Sequence, residues 1–501
     1  MKQTILHLLF SFSFLLTGGA VLAQDLAPCG TDLGISSWLR DFQSRIHSTP
    51  RTEGFIYAPV QIHVVGTDQG GGYMAYSSVM RAFCELNEDF IPAEMQFFLA
   101  GPVNFISNSA YYDHDFGAGY DMMFEHNVPN AINCYIVQSP AGNCGYYSPG
   151  PDAIALSKSC VQPGDNTWAH EVGHYLSLPH PFYGWEYRDE DIDHDYADPA
   201  PESWVAGWGT EYFVEKMDGS NCQFAADGFC DTAPDYLDYR WTCNNEGISN
   251  LVQHDPNGVP FNSKGDLFMS YSDDVCATRF SDDQIAAMRA NMVEQRPNLV
   301  NDPPLEDDII IPEQETLTVI SPAAGSIVDD DTVLLEWEPV ENATHYLVQV
   351  NPFSNLNILL NQFIVYEPRL VFEDLQDNKT FYWHVRPFNE YDTCTDFLEP
   401  NSFETGLISS TTKLLPGEQL RIYPNPVSSS RSTSLELIST TSERAYWQIM
   451  NTAGQQLNVG QFETASSLQR IDLPTENLSP GLYIVQIQLG DRQATRKLII
   501  Q

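Results

Sequence analysis

The stretch HEVGHYLSLPH, residues 170–180, restricts what this chain can fold into more than any other segment. It gathers three of the 12 histidines and one glutamate. On a helix, His170 and His174 stand one turn apart on the same side, so both imidazoles can reach a single metal ion. Glu171 then projects beside the ion's water rather than at the ion, where a carboxylate can take a proton during attack on a carbonyl. His180 supplies a third ligand if the helix stops soon after Leu176. Pro179 enforces that stop, because the residue before a proline avoids helical backbone. The spacing predicts a zinc site on a short helix, which must be held rigidly by whatever surrounds it.

Sheet-forming segments precede the motif. APVQIHVVG (58–66) reads as a buried strand and SSVMRAFCELNEDF (77–90) as a helix; NCYIVQ (133–138) and the AIAL of NCGYYSPGPDAIALS read as further strands. After Met288 the pattern changes: NDPPLEDDIIIPEQE (301–315) is acidic and proline-rich without apolar periodicity, which predicts a linker over 299–316. Residues 317–405 and 414–501 then alternate apolar and polar in short runs, as two all-β sandwiches would. At the other end, Lys2, the apolar run Ile5–Leu16 and Val21-Leu22-Ala23 read as a removable signal peptide, residues 1–23. The run is short for a bilayer span and no later segment approaches its length, so no transmembrane segment is expected. The net charge of −43, from 67 acidic and 24 basic residues, repels polyanions, and nucleic acid is not an expected partner. Ten cysteines in an exported chain point to disulfides rather than thiols; nine lie between Cys29 and Cys276, and only Cys394 beyond.

Several of these segments resemble known families. HEVGHYLSLPH resembles the metzincin pattern H-E-x-x-H-x-x-G-x-x-H, with Ser177 in the place of the glycine. That place favours left-handed backbone, so serine costs about 1 kcal/mol there, which bears on the sharpness of the turn and leaves a metal site intact. FMSYSDDVC (268–276), followed by F-S-x-x-Q-x-x-x-M-R, resembles the pappalysin (cytophagalysin) branch of the metzincins, as does Asp231-Thr232-Ala233-Pro234; the likeness spans about residues 58–295. Trp337, Pro339, Val340, Ala343, Tyr346, Val348 and Val350 resemble a fibronectin type III pattern, in which Trp337 packs between the sheets. Tyr423-Pro424-Asn425-Pro426, Gly481-Leu482-Tyr483 and Lys497-Leu498-Ile499-Ile500 resemble the C-terminal sorting domain of the type IX secretion system.

The resemblances imply an α+β metzincin-type catalytic domain (twisted sheet plus zinc-binding active-site helix) followed by two all-β sandwich domains. The expected order is signal peptide 1–23, pro-segment 24–55, protease domain 56–298, linker 299–316, fibronectin-like sandwich 317–405 and sorting domain 414–501. The expected activity is that of a secreted or cell-surface zinc endopeptidase acting on protein or peptide substrates and exported by the type IX machinery. His170, His174 and His180 are the implied zinc ligands, Glu171 the base, and Met269 the floor of a methionine turn. Tyr271 is implied to steady the oxyanion, with a plain core tyrosine as the other reading. Asp274 is implied to line the S1′ pocket and favour Arg or Lys after the cleaved bond, unless it is a solvated turn residue.

Cys222, Cys230, Cys243 and Cys276 are expected in two disulfides, Cys222–Cys243 with Cys230–Cys276 being the guess among three connectivities. Asp227, Asp231 and Asp235 could hold calcium or belong to a loop of turn formers. Cys29, in Cys29-Gly30-Thr31, could close the zinc site as a zymogen switch or pair in an ordinary disulfide. The insertion at 183–218 shows no derivable role, and its His194 reads as a surface residue. An exported adhesion or binding protein with an inactive protease-like domain is the competing class; the intact Glu171 argues against it.

Overall fold

The computed structural model describes residues 26–501 apart from 32–33, 49–53, 189–193, 302–308, 329–331, 357–360, 374, 377, 407–417, 429–431, 453–454, 466 and 491. The expected signal peptide lies outside the described residues. Among these residues no helix is long and apolar enough to cross a membrane.

The motif is carried by a mixed α/β unit. Its six-stranded sheet runs Met95–Leu99, Ile56–Gly66, Ile132–Val137, Ala153–Ser157, Gly145–Ser148, with Asn104–Ser107 pairing further along Ile56–Gly66. The pairings are parallel except the last, where Gly145–Ser148 runs antiparallel to Ala153–Ser157 and forms an edge. Parallel strands covered on both faces read as unbroken apolar runs, which is why IYAPVQIHVVG is buried along almost its whole length. The helix Tyr76–Phe90 lays Val79, Met80, Phe83, Leu86 and Phe90 onto this sheet. Beside it the motif helix, Thr167–Tyr175, is buried at every position. A third helix, Asp282–Gln295, starts in a capping box between Ser281 and Gln284.

Residues from the expected pro-segment join this core. Ser36 caps the helix Ser37–Arg45, whose Leu39 and Phe42 pack with the sheet and motif helix in one apolar cluster. Trp38 and Arg45 both bond Glu294 on the Asp282–Gln295 helix.

The two sandwiches follow. In the first, sheets of three and five strands enclose Trp337 and Trp383, whose rings lie 5.9 Å apart. Ile311, inside the stretch expected to be linker, is buried in the same core. In the second, sheets of three and four strands pack around Leu435, Ile449 and Ile487. The first sandwich is fastened to the α/β unit. Leu99 N–H donates to Glu390 O at 2.9 Å, Phe98 stacks on Tyr391 at 4.7 Å, and Gln362 bonds Ser77. Cys394, whose partner the sequence left open, closes a disulfide with Cys84 across the same contact.

Removing that disulfide with paired Cys84→Ser and Cys394→Ser should lower unfolding free energy by about 2–4 kcal/mol, because it closes a very long loop. Thermal denaturation without reductant measures the loss, and limited proteolysis should then release the first sandwich.

Candidate metal centre

The motif helix starts at Thr167, where Asn166 N–H donates to Asp274 Oδ1 at 3.1 Å. It stops where the sequence requires. Leu178 N–H reaches back to Gly173 O and Ser177 N–H to His174 O, each at 2.9 Å, which is the Schellman arrangement. Ser177 takes the left-handed conformation at φ 76°, as the glycine of the pattern would. Asn291 Nδ2 donates to its hydroxyl at 2.9 Å, which offsets part of the strain. The turn is therefore as tight with serine as the motif requires.

This stop turns the chain so that His180 faces the helix. The Nε2 atoms of His170, His174 and His180 converge, with separations of 3.1, 3.0 and 3.3 Å. On the far side of each ring, Nδ1 meets an acceptor: Phe268 O at 2.7 Å for His170, Leu178 O at 2.8 Å for His174, and a Glu186 carboxylate oxygen at 2.9 Å for His180. A carbonyl or carboxylate can only accept, so each Nδ1 carries a proton, and a ring that is neutral there turns its Nε2 lone pair inward. Burial pushes His170 down to about 3 and His174 well below the ordinary histidine range, so neither ring carries a charge. Three lone pairs this close repel one another unless a cation sits among them. Nitrogens about 2.0 Å from a tetrahedral zinc stand roughly 3.3 Å apart, so the donor set fits that ion.

Met269 is fully buried and packs against Gly173, between the two helical histidines. A Cβ at Gly173 would run into its sulfur, which explains why the residue between the two helical histidines is glycine. Tyr271 stands across the cluster, its ring 4.8 Å from that of His180 and 4.6 Å from that of Phe182. Burial, with Cys29 and Glu186 nearby, pushes its hydroxyl pKa well up.

Glu171 is wholly buried, and burial pushes it up to about 8 against the pull of hydrogen bonds from Cys29 and Thr31. Gly145 on the edge strand makes room for it: a Cβ there would meet Glu171 Cγ at 2.8 Å. Residues 27–31 lie along that edge. Ala27 N–H donates to Gly142 O, Cys144 N–H to Ala27 O and Gly30 N–H to Gly145 O, at 2.7–3.0 Å. The Thr31 hydroxyl donates to Glu171 Oε2 at 2.9 Å and accepts from Tyr147 N–H at 2.8 Å. Cys29 forms no disulfide, and its sulfur lies 3.5 Å from His174 Nε2. It joins the three histidines in one group of potential ligands. Burial and the Glu171 charge push the Cys29 thiol pKa well up, so a thiolate there needs a cation beside it.

The expected pairing Cys222–Cys243 with Cys230–Cys276 is corrected. Cys222 pairs with Cys230 and Cys243 with Cys276. The first pair is brought together because 219–228 folds back in tight turns, and the second because Trp241 N–H donates to Tyr271 O and Asp273 N–H to Trp241 O. Asp227, Asp231 and Asp235 do not converge on one point. Asp231 caps the helix Asp282–Gln295 through Ser281 and Asp283, Asp235 accepts from Ser263 and Ser270, and Asp227 accepts from Phe229 N–H and Thr232. Asp274 forms an ion pair with Arg240 and accepts from Asn166 N–H. His194 lies edge-on to Trp185 at 5.4 Å, away from the histidine cluster.

Two residues escaped sequence reasoning. Glu186, which holds His180, sits in the insertion, and its neighbours form no pattern that would single out an acid there. Thr31 was adjacent to a residue that did attract notice, but only the edge-strand pairing shows what its hydroxyl meets.

Replacing Gly173 by alanine should lower stability by about 1–3 kcal/mol by forcing Met269 aside. Thermal denaturation measures this, and zinc titration should show weaker binding.

Residues 421–501 match the family described as secretion system C-terminal sorting domain. Two curated relatives are similar to part of the chain. An extracellular metalloprotease of Podospora anserina is 30% identical, covering 26% of this chain and 51% of its own. An extracellular metalloprotease of Pyricularia oryzae is 27% identical, covering 25% and 50%. The chain thus spans about half the length of the curated relatives it matches. Among solved structures, the fn3 domain of human collagen alpha-1(XX) chain aligns at 21% identity over 19% of this chain and 83% of that one, with a TM-score of 0.14. The chain is a secreted or cell-surface protein carrying a sorting domain and a buried three-histidine cluster, with extracellular metalloproteases among its relatives.

Proposed function

We propose that this chain is a secreted zinc endopeptidase of the metzincin type, close to the pappalysins, in a latent form. The observation that carries the reading is the convergence of three Nε2 lone pairs beside a buried glutamate. His170, His174 and His180 would hold the ion. Bound zinc supplies Lewis acidity toward a carbonyl oxygen and makes a water acidic enough to attack at neutral pH.

The chain's own groups do the rest. Glu171 takes the proton of the attacking water and returns it to the leaving amine; its burial favours a base that can also act as an acid. Tyr271 turns its hydroxyl toward the oxyanion. Phe268 O, Leu178 O and Glu186 keep the rings oriented, and Met269 gives the centre an apolar floor. The proposed organisation is signal peptide 1–23, pro-segment 24–55, protease domain 56–298, a fibronectin-like sandwich to 405 and a sorting domain recognised by the type IX machinery.

Latency rests on the segment 27–31. The Cys29 sulfur sits within ligand reach of the histidines, the place a water must take, and Thr31 donates to one carboxylate oxygen of Glu171, the group that would accept its proton. The preference for Arg or Lys after the scissile bond rests on Asp274, whose charge is shared with Arg240. A substrate cation must therefore compete with that guanidinium.

Zinc content and chelator-sensitive cleavage of casein by the protein cleaved after Ile35 test the main claim. Glu171→Ala should keep its zinc and lose about 10²–10⁴-fold in kcat; equal activity in that variant would remove the mechanism. A Cys29→Ala precursor should cleave casein faster than the wild-type precursor, and no increase would rule out the switch. Asp274→Ala should flatten the Arg/Lys preference in cleavage-site profiles, and an unchanged profile would assign that preference elsewhere.

A further inference from the structure

The insertion 183–218, described apart from 189–193, begins three residues after the third histidine and brings together a group of aromatic rings. His180 stacks on Phe182 at 4.7 Å. Tyr183 meets Tyr187 and Tyr212 edge-on, each at 5.6 Å, and Tyr187 meets Trp208 at 5.5 Å. Tyr212 and Trp208 belong to a two-stranded ribbon, Ser203–Val205 with Glu211–Phe213, in which Trp208 occupies the turn. The ribbon is anchored at its base, where Trp204 Nε1 donates to Gly184 O at 3.0 Å and its ring packs on Trp185 at 4.7 Å. At its tip Trp208 is 65% exposed, a large apolar ring held out in water on a built support.

The inner end of this group lies against the expected pro-segment. Ile35 N–H donates to the Tyr183 hydroxyl at 3.4 Å, and a side chain at Gly34 would touch the same oxygen. Upstream, residues 27–31 follow the edge strand past the three imidazoles. The described pieces on either side of residues 32–33 thus lie at two places, 27–31 beside the metal centre and 34–35 against the inner aromatic ring, Tyr183.

We propose that Tyr183, Tyr187, Tyr212 and Trp208 form a substrate-binding wall that takes an apolar or aromatic side chain of a polypeptide substrate, several residues from the bond cut, once the residues up to Ile35 have left. This rests on the hydrolase reading above. The occupant is a polypeptide because the backbone of Gly34 and Ile35 already lies against the innermost ring, Tyr183. An apolar or aromatic side chain is the chemistry that ring faces and edges reward, and tyrosine and tryptophan bind it with few rotatable bonds to immobilise. A contact outside the reacting atoms binds substrate and transition state alike, so it acts mainly on KM.

The test uses the zinc-loaded protein cleaved after Ile35, which keeps the helix Ser37–Arg45 in the core, and paired quenched-fluorescence peptides that differ only by Phe or Ser at one outer position, stepped along the peptide. At one outer position the wild type should favour Phe by about tenfold in kcat/KM, mainly through KM. Combined Tyr187→Ala and Trp208→Ala should bring that ratio close to one, and Trp208→Phe should retain it. Zinc content and melting temperature show whether the double variant is folded; if it is not, Trp208→Ala alone, at the exposed tip, carries the comparison. A ratio near one at every position in the wild type, or an undiminished ratio in the variants, overturns the wall. Failure of the zinc-loaded wild type to cleave any peptide overturns the hydrolase reading, and the wall falls with it.

Discussion

Three imidazole lone pairs held within about 3 Å of one another form an arrangement that neutral side chains do not adopt for their own sake. What keeps them there comes from three separate parts of the chain: the carbonyl before Met269, the carbonyl at the helix stop, and a carboxylate of the insertion. Each acceptor fixes one ring's proton on the outer nitrogen. The centre is thus a property of the assembled α/β unit and not of the eleven-residue motif alone. Binding an ion there would relieve the repulsion between the nitrogens, which couples metal occupancy to the stability of that unit.

Much of this was legible in the chain. The i, i+4 histidine pair, the stop before Pro179 and the apolar runs at 58–66 and 133–138 depend on local periodicity, and local periodicity survives folding. The partner of Cys84, the carboxylate on His180 and the guanidinium on Asp274 were not legible, because each joins residues far apart in sequence or chosen among many equivalent acids, whereas Cys29 at the histidines was one of two readings the sequence offered. The disulfide guess failed for a related reason. Tight turns after Gly219 let Cys230 close on Cys222, and nothing in the spacing of four cysteines reveals which turns will form.

The N-terminal segment has two physically different attachments. Residues 27–31 are held by a few backbone bonds at a sheet edge, which water can replace at modest cost. The helix Ser37–Arg45 instead buries Leu39 and Phe42 in the main apolar cluster, an attachment that only exposure of large side chains can undo. The part that covers Glu171 is therefore held more weakly than the part that anchors it.

Ser177 carries a lesson about how the motif is defined. A hydroxyl that accepts one amide proton from Asn291 lets a non-glycine residue hold the left-handed turn. A search rule that insists on glycine at that place encodes a preference of about 1 kcal/mol as though it were an absolute requirement, and it would discard this chain while its three histidines stand correctly placed.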